Sequence, residues 1–127
     1  MSAWQLGLFD VLAGDTDAPT ICTTAGWHTD FFGLDRRWAE FRDGTLHPCW
    51  VVTHLLTGYV ICAYTGDEAA AKAFADKIEP IGNWDFVDPA GAKAMAPAMG
   101  KIFRSDDQVI NPAQLLPALW IRKKEAA

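Results

Sequence analysis

The first 35 residues contain no lysine and no arginine, although they carry Asp10, Asp15, Asp17, Asp30 and Asp35. The remaining residues hold the other eleven acids against all eleven bases, so the whole net charge of −5 comes from the N-terminal third. Nucleic-acid affinity comes from Lys and Arg displacing counterions, so direct DNA or RNA binding by this third is disfavoured. A basic protein surface is its natural complement. Cysteine is scarce: Cys22, Cys49 and Cys62 are odd in number and at no disulfide or metal spacing. No N-x-S/T sequon and no secretory apolar segment occur, and no apolar run approaches the ~20 residues of a membrane span. These absences point to a soluble cytoplasmic protein with reduced thiols. No Walker A loop, G-x-G-x-x-G or G-x-S-x-G occurs, so no nucleotide cofactor and no hydrolase nucleophile is implied.

What is present is apolar. Half of the 127 residues are hydrophobic, the balance of a globular chain, and the length suits one domain over residues 1–127. Six tryptophans (Trp4, Trp27, Trp38, Trp50, Trp84 and Trp120) exceed ordinary usage severalfold. Most belong in the core, leaving one or two as anchors at an interface.

The middle of the chain reads as an antiparallel meander over residues 31–64. Asp43-Gly44 marks a two-residue hairpin turn and Thr57-Gly58 a turn with a bulge. Phe31–Arg42, Thr45–Leu55 and Tyr59–Tyr64 are the strands they join. A helical alternative exists for the first, because Trp27, Phe31, Leu34, Trp38 and Phe41 fall on one helix face. Gly33 and the turn after it favour strand. Thr65-Gly-Asp-Glu68 matches a capping box for a helix over 66–79, ended by Pro80, with Ala70 or Ala71, Phe74 and Ile78 facing the sheet. Upstream, Trp4–Leu12 predicts a strand and Ala13–Pro19 a loop. Downstream, Asn83–Val87 predicts a short edge strand. Asp88-Pro89 and Asn111-Pro112 start short C-terminal helices that Pro97 and Pro117 interrupt. The fold class is α+β.

No residue set is convincingly catalytic or metal-binding. His47 and Cys49 share one strand parity while His54 takes the other, so a tetrahedral zinc site does not form without a bulge. His54 and Cys62 come out as diagonal neighbours, opposite Val60 and Val52, but in apolar surroundings that favour a structural thiol over a nucleophile. His28 and Asp30 lack an adjacent nucleophile. Asp15 and Asp17 lack the further oxygen ligands of a calcium loop.

The run from Trp50 to Trp84 (WVVTHLLTGYVICAYTGDEAAAKAFADKIEPIGNW) resembles small uncharacterised proteins of bacterial phages and other mobile elements. They share a Trp, a Val-Thr-His, a Thr-Gly hairpin turn and an Ala-rich helix ending near a Trp. The resemblance covers about a quarter of the chain and carries no catalytic residues. By analogy of size and charge with anti-CRISPR inhibitors, it implies an acidic inhibitor or regulator that docks on a basic surface of a nucleic-acid-handling protein. Asp15, Asp17, Asp30, Asp35 and Trp27 are the expected partner-binding residues, with no metal or cofactor. The alternatives are a small enzyme or ligand-binding domain with a pocket near His28, His54 or Cys62, and a homo-oligomer, for instance a homodimer, closed by Trp residues.

Overall fold

The computed structural model describes residues 3–110 except Thr16, Asp17 and Arg42. Asn111-Pro112 and Pro117, with the helices expected there, lie outside the described residues. The chain forms one antiparallel sheet in sequence order, β1 (Gln5–Asp15), β2 (Ala18–His28), β3 (Phe32–Glu40), β4 (Leu46–His54) and β5 (Val60–Tyr64). Among the described residues two α-helices follow, α1 (Glu68–Ile78) and α2 (Ala96–Ser105), with 3₁₀ turns at Glu79–Ile81 and Pro89–Met95. This is the α+β meander with a helix on one face, extended by two strands on its N-terminal side.

Both glycine turns form as expected, each in a longer version. Gly44 takes φ 88° with Asp43 on the ordinary side, and the loop is closed by the Phe41 N–H, which donates to the Thr45 carbonyl at 2.9 Å. The two-residue turn is therefore corrected: only Gly44 of the pair adopts the left-handed region. Gly58 takes φ 77° and donates to the His54 carbonyl, while the His54 N–H donates to Tyr59. Val52 lies opposite Cys62 as the spacing predicts, but a bulge beyond it puts Thr53, not His54, opposite Val60.

Further differences have local causes. Residues 13–15 and 18–19 are strand, because β1 and β2 pair without a break from Gln5↔His28 to Asp15↔Ala18. The Leu12 N–H leaves the ladder for the Gly58 carbonyl. Pairs two residues along, Gly14↔Pro19 included, therefore exchange no ladder bond, and Pro19 costs none. The cap of α1 is Asp67, which accepts from the Ala70 N–H at 2.8 Å. Thr65 instead donates to Gln108. Residues 83–87 are irregular rather than an edge strand. The flank of β5 is taken by residues 108–110, through Tyr64↔Val109 and the Ile110 N–H bond to Ala63. Asp88 caps the 3₁₀ segment and Pro97 sits in the first turn of α2, so the Pro-split expected there is present.

The sheet is covered on its two faces by different material. On one face Phe32, Leu34, Val52, Cys62 and Tyr64 pack under Ala71, Phe74, Ala75 and Ile78 of α1, with Trp84, Met95 and Met99 closing the layer. On the other face Ala39, Cys49, Val51 and Ala63 pack with Ile110. The β1–β2 hairpin joins β3 through only Trp27↔Leu34 and His28↔Gly33, then bends over this second face. Phe9 lies against Gly33, Gly26 against the Leu34 carbonyl, and Leu12 against Gly58, each so close that a Cβ on the glycine would collide or press. That is why the chain places glycine at 26 and 33.

Candidate functional site

The expected acidic site is not a single surface. Asp35 is buried at 1 % exposure, and both its carboxylate oxygens are bound by Arg37, from Nε at 2.8 Å and Nη2 at 2.9 Å. It is a core ion pair and is withdrawn as a docking residue: residues two apart on a strand share a face, and the hairpin covers this one. Asp15 ends β1 and Asp30 follows β2, so a strand's length, on the order of 30 Å, separates them. Asp17 lies outside the described residues. Trp27 is half-buried at the edge of the helix layer, with the Lys72 ammonium 3.4 Å above its ring.

The histidines and thiols also part company. His28 lies opposite Gly33 and His54 opposite Phe32, one residue along β3, hence on opposite faces. His47 is exposed, with Nε2 2.8 Å from the Thr45 hydroxyl. Cys49 and Cys62 belong to the cores of opposite faces. Among the described residues no three of His, Cys, Asp and Glu gather as a metal site. The buried His54 ring spends both nitrogens on Thr57 Oγ1 (2.8 Å) and the Trp84 carbonyl (2.7 Å) and stacks on Phe86. A carbonyl only accepts, so in the neutral ring Nε2 carries the proton and Nδ1 accepts from Thr57. Neither nitrogen is left to activate Cys62. Burial pushes the Cys49 thiol up to about 11 and the Cys62 thiol higher still, which removes the thiolate needed for nucleophilic chemistry. With a thiol reagent at neutral pH, exposed Cys22 should label within minutes, while Cys49 and Cys62 should label only on unfolding. Fast labelling of native Cys62, abolished by His54→Ala, would restore the nucleophile.

Among the described residues two apolar features stand out. The first is the half of the helix-side face that α1 does not reach. There β1 and β2 set Leu6 beside Trp27, Leu8 beside Ala25, Asp10 beside Thr23 and Leu12 beside Ile21. Leu6, Leu8 and Ile21 are 69 %, 72 % and 69 % exposed. Asp10 accepts from the Thr23 hydroxyl at 2.8 Å and stays exposed. Strand alternation marks Leu6 and Leu8 as sharing a face, but nothing in the sequence tells that this face stays uncovered. The second feature is a pocket of about 330 Å³ between the β4–β5 turn and α2, walled by Ile61, Trp84, Phe86, Met95, Met99 and Phe103. His54 and Thr57 also line it. It lies near His54, one of the three places expected for a pocket; His28 and Cys62 do not line it.

No protein-family model, curated protein or solved structure matches the chain. No helix among the described residues is long and apolar enough to cross a membrane.

Proposed function

We propose that the protein is a non-enzymatic binding module that docks a protein partner through the outer face of the β1–β2 hairpin. The observation behind this reading is the clustering of Leu6, Leu8 and Ile21, about 70 % exposed, on one strand pair. Large aliphatic side chains gathered in solvent on one face are a mark of an interaction surface. Asp10 stands inside it, and no Lys or Arg occurs in residues 1–35, so the fitting partner has an apolar centre rimmed by basic side chains. A nucleic-acid-handling protein with a basic surface meets that description, and an acidic inhibitor or regulator is the role it suggests. The acidic third thus keeps its place in the reading, but the contact is centred on aliphatic side chains rather than on Asp35.

The test uses wild-type protein and Leu8→Lys, immobilised in parallel and presented with a prokaryotic lysate at low and high salt. Leu8→Lys should stay folded, since exposed changes shift stability within about 0.5 kcal/mol. It should lose any specific partner by about 2 kcal/mol, roughly thirtyfold in affinity. Wild-type capture should weaken as salt rises. Equal capture by both forms would remove the hairpin as the docking face. A doubled mass for the free wild type, reverting in Leu8→Lys, would identify the partner as a second copy.

A further inference from the structure

The cavity between the β4–β5 turn and α2 is unrelated to the hairpin. We propose that it is a binding site for a small, neutral, apolar molecule: a short aliphatic chain or single ring with no more than one hydroxyl-type group.

Its lining decides the chemistry. Val60, Ile61, Trp84, Phe86, Met95 and Met99 make its walls, and among the described residues no Asp, Glu, Lys or Arg lines it. Of its polar side chains, His54 and Thr57 bond to each other, His54 also bonds to the Trp84 carbonyl, and Tyr59 is largely exposed. An ionic ligand would therefore lose its hydration against a wall with no counter-charge. At about 330 Å³ the space sits at the low end for small-molecule sites. The pocket opens to solvent, and water held against so apolar a wall is readily displaced by an apolar guest. Met95 and Met99, both mostly buried, are adaptable side chains that mould to a guest.

The helix side of this space is lined by small residues. Gly100 lines the pocket in mid-helix, where only proline is less favourable, and Ala92 and Ala96 line it as well. The φ of Gly100 is not positive, and the nearest atom a Cβ there would meet among the described residues is the flexible guanidinium end of Arg104, at 3.2 Å.

The chain has three methionines, of which Met95 and Met99 line the cavity, so methyl-labelled methionine reports the site directly. Titration of the full chain with 1-octanol should move both signals saturably. Gly100→Leu and Ala96→Leu, which narrow the cavity from the exposed side of α2, should each weaken binding at least tenfold while both signals stay dispersed. Octanoate and octylammonium should bind at least tenfold more weakly than octanol. Leu8→Lys should leave the titration unchanged, which separates this site from the docking face. Signals that do not move at the solubility limit of octanol overturn the proposal, whether the cavity lacks affinity or another segment of the chain fills it. Equal binding of the charged and neutral probes, or full binding by both narrowed variants, overturns it as well.

Discussion

Asp35→Ala is expected to lower the free energy of unfolding by about 3–5 kcal/mol, the usual cost of breaking a buried ion pair by removing one partner. Asp35 and Arg37 are both almost fully buried, joined by two near-parallel bonds of 2.8 and 2.9 Å on the hairpin-covered face of β3. Most of the loss comes from the guanidinium losing its paired carboxylate in a place it cannot be hydrated. The double variant Asp35→Leu/Arg37→Met removes both charges at similar volume and should be less destabilised than Asp35→Ala alone. Urea unfolding of wild type, Asp35→Leu, Arg37→Met and the double variant gives the coupling directly. An Asp35→Ala cost below about 1 kcal/mol would mean that the pair is solvated, and Asp35 would return to the list of candidate docking residues.

Trp84→Ala should cost about as much, 3–5 kcal/mol, for a different reason. The indole is 4 % exposed and meets Phe32 edge-on, with ring centres 4.9 Å apart and planes at 79°. Its N–H donates to the Glu79 carbonyl at 2.9 Å and the Ile78 carbonyl at 3.2 Å, satisfying the end of α1. Removing the ring opens a cavity under the sheet and leaves those carbonyls short of a donor. Trp84→Phe keeps most of the packing and loses the donor, so about 1–2 kcal/mol is expected. The main-chain carbonyl that holds His54 survives both changes. If Phe costs as much as Ala, the helix-end hydrogen bond and not the packing carries the role of Trp84.

Local chemistry made the middle of the chain legible. Gly44 and Gly58 announce their turns because only glycine enters the left-handed region cheaply, and both are found there. The period of Ala71, Phe74 and Ile78 announces the buried stripe of α1. For residues 31–41 the helical spacing of Phe31, Leu34, Trp38 and Phe41 competed with strand alternation. Strand won because Phe32 and Leu34 fill one core while Asp35, Arg37 and Ala39 fill the space behind. The loop expected at 13–19 failed for the opposite reason. Gly, Asp and Pro signal a turn, but not how far two strands pair before it.

The candidate site was less legible, because exposure is a property of what lies above a residue. Leu6, Leu8, Phe9 and Val11 are alike in sequence, yet the first two face outward and the last two are buried. The acids are equally indistinguishable in composition: Asp10 is on the surface and Asp35 in the core. A charge count over residues 1–35 sees five carboxylates and cannot see that one has spent its charge on Arg37.

From the sequence alone came the α+β class, the two glycine turns, α1 with its buried stripe, the lack of cation in the N-terminal third and the apolar setting of Cys62. All of these rest on forces that act within a few residues, on strand or helix period, or on summed charge. Only the tertiary structure decided that the β1–β2 hairpin bends over one face of the sheet while α1 stops short of the other. That choice depends on long-range contacts, Phe9 on Gly33 and the Leu12 N–H on the Gly58 carbonyl, whose partners lie 24 and 46 residues apart in the chain. It buries Asp35 with Arg37 and leaves Leu6, Leu8 and Ile21 in solvent.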